Sequence, residues 1–416
     1  MRRIYISAFV LLLLGIASCG RDSSFEPGFA GGDSGGRSLP GRSYTENTRR
    51  VMIMISAGFN SLSSYLSSDT EDLENGYLPE GNYFYSDVVL VLSRIAQGRD
   101  YSQQKPPVLY QLYKGRNGEV IRDTLKRWED DTPLSRPETV YDALSFIQRK
   151  FPAGNYGLVF SSHASGWLPA GFYSDPSAFA SPASPRGYRS LGQDVTPDGD
   201  VEMELQEFAE AIPMHLDYLL IDACLSGCVE IAYAFRDKAD KVGFSPTEVL
   251  ADGFNYEEIT SHLLGQEPDP VAVCKEYFEY YDSQKGQNRS ATISVVDTRQ
   301  MDGLATVCRE LFEKYRPQIA SLDGNLVQGY FRFDRHYFYD LKDILVQAGI
   351  TTDEERRLDA ALDKCILYKA ATDYFLSIPI RRYSGLSMYL PSMGTSFLDQ
   401  FYRTRIDWNT ATQLVK

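Results

Sequence analysis

Histidine and cysteine are both sparse in this chain, four and six residues out of 416, and they never gather at metal-ligand spacing, which disfavours a zinc site. The cysteines follow no regular spacing either. Once Cys19 is set aside, for reasons given below, five remain; an odd count in an exported protein argues against a disulfide framework and leaves at least one thiol free. Basic clusters are missing, and the formal net charge of −14 is the wrong sign for a general nucleic-acid binder. There is no internal repeat. The apolar run Ile4–Ile16 is too short and too close to the first residue for a transmembrane helix of the mature protein.

What is present is ordinary globular material with a heavy aromatic load, 28 Tyr and 22 Phe. At this length one large α/β domain with additions, or two domains, is expected. Met1-Arg2-Arg3, the apolar run and "IASC" at 16–19 have the layout of a bacterial lipoprotein signal, so residues 1–18 are expected to be removed and Cys19 to carry lipid; an uncleaved anchor is the plainer alternative. Gly20 stands where Asp would resemble an inner-membrane retention signal, which leans toward the outer membrane or cell surface and leaves the inner membrane open. Residues 19–47, rich in Gly, Ser and Pro, read as a flexible tether.

From about residue 48 the pattern alternates. "VMIMISA" (51–57), "PPVLYQLYKG" (106–115), "YGLVFSSHASG" (156–166), "LDYLLIDAC" (216–224) and "SATISVVDT" (290–298) read as strands, with "SDVVLVLSRIA" (86–96) ambiguous. Helices are expected at 139–151, 204–212, 227–239, 269–284 and 301–315. Such alternation implies a mostly parallel sheet covered by helices on both faces. A Ser/Pro/Gly-rich insert at about 169–200 interrupts the body at 48–320. Residues 321–416, with a long polar helix from about 352 and a late strand at 384–391, read as a C-terminal extension of the sheet or a small accessory domain.

In open α/β sheets, chemistry gathers beyond the carboxyl ends of the strands. Two strand ends stand out: one leads to His163, the other to Cys224. By composition and position a Cys/His pair competes with plainer readings, a hydrogen-bonded loop histidine and a buried thiol acting as a small hydrophobe.

The motifs "SSHASGW" (161–167) and "IDACLSG" (221–227) resemble the two catalytic motifs of the clostripain family of cysteine peptidases, relatives of caspases, legumains and gingipains. The likeness extends through "LADGFNYEEI" (250–259), "ATISVVDTRQMDGL" (291–304), "YDLKDIL" (339–345) and "SGLSMYLP" (384–391), covering roughly residues 50–395. It implies a caspase-like three-layer sandwich and an endopeptidase cutting after Arg or Lys. On that resemblance Cys224 is the nucleophile and His163 the acid/base group. The backbone N–H groups of Ala164 and Cys224 form the oxyanion hole, and Asp222 with Asp252 holds the basic side chain in the S1 pocket. Taken alone, Asp222 reads as a strand-end cap.

A helix expected directly after Cys224 would help ionise its thiol. The family has Gly where this chain has Ala164, and a left-handed torsion there would strain an alanine by about 1 kcal/mol. Family members that are zymogens are cut in the insert, where Arg186 and Arg189 are the candidate self-cleavage positions; an uncleaved surface loop is the alternative. Cys228 is not at C-x-x-C spacing from Cys224, which disfavours thiol–disulfide exchange, and with Cys274, Cys308 and Cys365 it is expected in the core.

No cofactor is required by this scheme. Calcium is weakly supported: "DVTPDGDVEMEL" (194–205) has Asp194, Asp198, Gly199 and Asp200 but carries Leu205 where an EF-hand needs a bidentate Glu. The expected partners are protein or peptide substrates and, through Cys19, a membrane; the protein is expected to be a monomer that binds no nucleic acid. The rival reading is a catalytically silent caspase-like surface lipoprotein that binds a partner.

Overall fold

A computed structural model describes residues 50–81, 87–98, 100–169, 171–172, 191–264, 267–332 and 336–416. Cys19, the tether, Arg186 and Arg189 lie outside the described residues.

The strands are β1 (Val51–Gly58), β2 (Val88–Ile95), β3 (Val108–Lys114), β4 (Val120–Arg127), β5 (Tyr156–Ser161), β6 (Leu191–Asp194), β7 (Val201–Met203), β8 (Leu216–Asp222), β9 (Ala239–Phe244), β10 (Thr292–Asp297), β11 (Tyr339–Asp340) and β12 (Ile366–Ala371). Nine of them form one sheet in the order β12-β10-β9-β8-β5-β1-β2-β3-β4. Its centre, β9-β8-β5-β1-β2, is parallel, and an antiparallel pair closes each side. The ambiguous segment at 86–96 is a strand.

The central strands read as continuous apolar runs because both faces are covered. Along β1 the side chains alternate, Val51, Ile53 and Ile55 entering one buried cluster and Met52 and Met54 the other. The first face is covered by α2 (Pro137–Lys150), α3 (Leu205–Glu210), α4 (Val229–Ala234) and α7 (Met301–Ile319). The second is covered by α1 (Ser63–Asn75), α5 (Tyr256–Leu263) and α6 (Pro270–Asp282).

Two expectations change. The helix expected at 227–239 is only Val229–Ala234, because the chain turns directly into β9, which its polar ends had hidden. The late strand at 384–391 shrinks to Ser387–Met388. Of the two readings of the C-terminal residues, the extension of the sheet holds: β12 pairs with β10 inside the main sheet. Cys228, Cys274, Cys308 and Cys365 are buried free thiols, as the sequence suggested.

A buried ion pair fixes the hairpin β6–β7 against the end of β2. Arg94 Nη1 donates to Asp194 Oδ1 at 2.9 Å, with both side chains fully buried. Arg94 also donates to the Lys105 carbonyl and to Gln104 Oε1, both at 2.8 Å, and lies over the Phe59 ring. Asp194 accepts the Ser135 N–H at 2.6 Å. Removing the cation leaves a buried carboxylate unpaired, so Arg94→Met is expected to cost about 3–5 kcal/mol in denaturant unfolding. A loss within 1 kcal/mol would show that the pair does not brace the fold.

Candidate active site

Parallel pairing brings the two strand ends together. In the β5–β8 register Ser161 is opposite Asp222, and His163 and Cys224 each follow two residues beyond that last pair.

His163 is held from three sides. Its carbonyl accepts the Gly192 N–H at 3.0 Å, where Ala164 bridges to Leu191 of β6. Beside it, Ser162 Oγ donates to the Ala57 carbonyl at 2.7 Å. The ring itself meets Ser61, Nε2 to Oγ at 2.9 Å. Ser61 is placed by the buried Asn60, whose amide donates to the carbonyls of Ala57 and Gln193. Burial among these neutral groups lowers the imidazole to about 4, so it is neutral at pH 7.

Cys224 sits in a loop, not at a helix start. Helix α4 begins at Val229 with Cys228 as its N-cap, so the expected help from a helix dipole is absent; that effect fades within the first turn. Leu225 instead makes a sharp turn with φ +59°, rare for a side chain of its size. Its N–H donates to the Thr247 carbonyl at 2.8 Å, and its own side chain is buried. The half-buried sulfur of Cys224 accepts the Val249 N–H at 3.4 Å. Burial first, and then the carboxylate of Glu248, push the thiol up to about 12. Glu248 pairs with Arg332 at 3.1 Å and leaves Oε2 buried without a partner.

Among the described residues no hydrogen bond joins His163 to Cys224: the imidazole is engaged with Ser61 and the sulfur with Val249. Neither the Ala164 N–H nor the Cys224 N–H donates to another described residue. Ala164 is absent from the positive-φ positions, and the feared strain does not arise. The left-handed torsion falls instead on Gly166, φ +64°, where a β-carbon would lie 2.6 Å from the Leu225 carbonyl and 2.5 Å from the Phe338 ring. The histidine loop and the nucleophile loop touch there.

The two expected S1 carboxylates have different surroundings. Asp222 is buried; its Oδ2 accepts the Tyr256 hydroxyl at 2.9 Å and the Phe254 N–H at 3.2 Å. Burial raises it to about 6 against those two donors. Gly253, φ +58°, passes so close that a β-carbon would lie 2.2 Å from Asp222 Oδ2. Asp252, one residue earlier, is exposed.

Asp194, the first residue of the EF-hand-like stretch, is spent on Arg94, and Leu205 is buried at the start of α3. That hairpin therefore does not present the ligands an EF-hand needs. Among the described residues, no three His, Cys, Asp or Glu side chains gather as a metal site.

Sequence reasoning missed Ser61, Glu248, Val249 and Tyr256. For Tyr256 the stretch "GFNYEEI" already lay within the resemblance; Ser61, Glu248 and Val249 had no signal of spacing or type to mark them.

The clostripain (peptidase C11) family pattern matches residues 54–413. Clostripain of Hathewaya histolytica is 22% identical over 311 residues, covering 68% of this chain and 51% of that protein, so the match spans about half the length of that relative. Among solved structures, an inactive zymogen C11 protease from Parabacteroides distasonis has a TM-score of 0.72 at 27% identity, covering 88% of this chain and 98% of that one. A secreted C11 cysteine protease from Bacteroides thetaiotaomicron, solved with an irreversible peptide inhibitor, has a TM-score of 0.72 at 22% identity, covering 88% and 99%; this second likeness is one of fold.

With the thiol at about 12, on the order of one molecule in 100,000 carries a thiolate at pH 7. Alkylation of Cys224 by iodoacetamide, followed by mass spectrometry, is therefore expected to rise about tenfold per pH unit from pH 7 to 10 without a plateau. A plateau below pH 8 would contradict the neutral resting pair. Gly166→Ala is expected to lower the melting temperature, since it adds a clash to a strained torsion; an unchanged melt would mean that the two loops are not in contact there.

Proposed function

The chain belongs to the clostripain family of cysteine peptidases, and from that premise we propose that it is an endopeptidase that cleaves after Arg or Lys, with Cys224 as nucleophile and His163 as acid/base. The observation that carries the reading is the position of the partly accessible thiol of Cys224 two residues beyond Asp222, a buried carboxylate at the end of the same strand. A substrate's basic side chain placed against Asp222, with Asp252 at the rim, would bring the next peptide carbonyl to the sulfur.

Because both partners rest neutral, attack and proton transfer are coupled. The Sγ–C bond forms while the S–H proton passes to the neutral imidazole of His163, and the carbonyl oxygen gains charge that the N–H groups of Ala164 and Cys224 can receive. The imidazolium then gives its proton to the leaving nitrogen as the C–N bond breaks, leaving a thioester. Water, deprotonated by His163, hydrolyses it and restores the thiol. Before the first step His163 must leave Ser61 for the sulfur, and catalytic contacts of this kind commonly tighten only with substrate bound.

That displacement favours a latent resting form, released by self-cleavage after Arg186 or Arg189; the likeness to an inactive zymogen supports the same idea. Cys19 is proposed to hold the protein to the bacterial envelope through lipid, which a Cys19→Ser variant would no longer incorporate from labelled fatty acid. No metal is assigned a role.

Fluorogenic peptides ending in Arg, Lys, Asp and Leu test the reading. Cleavage is expected only after Arg and Lys, unaffected by chelator, and reduced at least 1,000-fold, on the order of a lost covalent or proton-transfer group, by Cys224→Ala or His163→Ala. Asp222→Asn and Asp252→Asn should weaken basic substrates, the buried residue more than the rim residue. Turnover that survives Cys224→Ala removes the nucleophile. No turnover after Arg or Lys, before or after processing at Arg186 or Arg189, leaves the surface-binding alternative. An active preparation in which the chain stays intact sinks the self-cleavage step.

A further inference from the structure

Helix α1 buries another carboxylate close enough to feel the charge of Asp222. Its buried face is Ser63, Leu66, Asp69, Thr70 and Leu73, so Asp69 stands in a stripe that ordinarily holds apolar side chains. Asp69 is 4% exposed, and no described residue donates a hydrogen bond to its carboxyl. The groups that act on it are Asp222 at the end of β8, Asp72 three residues on along α1, and the exposed Asp252; the Tyr256 hydroxyl of α5 feels both Asp69 and Asp222. No cation is among the described groups that act on it. A second buried polar group, the Tyr277 hydroxyl, is 1% exposed, has no partner, and feels the charges of Asp222 and Cys224.

A buried carboxyl with no donor among the described residues, and with other carboxylates acting on it, is unfavourable for folding, and such misfits concentrate at functional sites. A cation entering from outside the chain would supply the partner that no described residue gives it. Resting on the assignment of a basic P1 residue, we propose that Asp69 is a third, inner carboxylate of the S1 pocket and determines its demand for a cationic side chain. Asp69 thus acts on specificity and not on the chemical step. Burial and its acidic neighbours raise Asp69 to about 9, so near pH 7.5 the empty pocket holds it protonated. An entering guanidinium or ammonium favours the carboxylate, and the proton leaves to solvent as the ion pair forms.

Calorimetric titration of full-length Cys224→Ala protein with an acetylated tripeptide amide ending in Arg, and with its citrulline counterpart, separates the possibilities. Titrations at pH 7.5 in two buffers of different ionisation enthalpy report the proton. The Arg peptide is expected to bind at least tenfold tighter than the citrulline peptide, with proton release. Adding Asp69→Asn should weaken the Arg peptide at least tenfold, leave the citrulline peptide within twofold, abolish the proton release and leave the melting temperature no lower. Unchanged Arg affinity and proton release overturn the proposal, as does an equal loss for both peptides with a lower melt, which marks a packing role. No preference for Arg over citrulline in the Cys224→Ala parent defeats the basic-pocket reading itself, and Asp69 with it.

Discussion

Strands β5 and β8 run parallel and end together, with Ser161 opposite Asp222 as their last pair. Neighbouring strands lie about 4.8 Å apart, so whatever follows each strand by the same number of residues starts from the same level. His163 and Cys224 do so. The register is set deep in the sheet, where Leu158 to Phe160 and Leu219 to Ile221 are buried on both faces, and a slip of one residue would exchange the faces of every side chain. Core packing that has nothing to do with chemistry thus sets the level of the two candidate catalytic groups. The Arg94–Asp194 pair extends that control, because β6 carries the backbone contacts that hold the loop of His163.

The electrostatics of the site contain a conflict. Carboxylates that would suit a basic side chain also oppose a thiolate: Glu248 and Asp222 both raise Cys224, while the Val249 N–H and Arg332 act the other way. Without a helix N-terminus at Cys224, no described group reverses this. A cation near Asp222 acts on both problems, since it satisfies the buried carboxylate and removes a charge that disfavours ionised sulfur. On the proposed reading, such a site is quiet when empty by the same physics that would make it receptive to a basic residue. An apolar ligand of equal size would relieve neither group.

How much of this was legible in the sequence follows from what kind of signal each residue leaves. Strand ends that break into small residues marked His163 and Cys224, and the resemblance supplied roles for them and for Asp222 and Asp252. Buried strands were readable because an apolar run bounded by turns has few other interpretations, whereas β9, "ADKVGF", carries Asp240 and Lys241 and gave no such run. Helix α1, "SSYLSSDTEDLEN", went unread because only Leu66 and Leu73 are apolar on its buried face; the polar residues that make Asp69 interesting are the ones that erased the periodicity. The start of α4 was misplaced because Ser226 and Gly227 look like a helix beginning, while the chain uses them for a turn that carries Leu225 at positive φ.

The last hundred residues belong to the site although none of them supplies a candidate catalytic group. The Ser387 N–H donates to the Gly227 carbonyl at 2.9 Å, so the short strand Ser387–Met388 pairs with the nucleophile loop on one side and with β11 on the other. Two residues on, the Tyr389 N–H and the Tyr402 hydroxyl both donate to Oε1 of Glu230, a carboxyl buried in α4 and raised to about 7 by that burial. Trp167, from the histidine loop, packs edge-on against the rings of Tyr389 and Tyr402 at 4.8 and 5.1 Å. One aromatic cluster therefore touches the loop of His163, the helix behind Cys224 and the C-terminal chain together. A loop that stores an unfavourable torsion at Leu225 holds its shape only where its surroundings over-determine it, and here the C-terminal residues supply much of that determination.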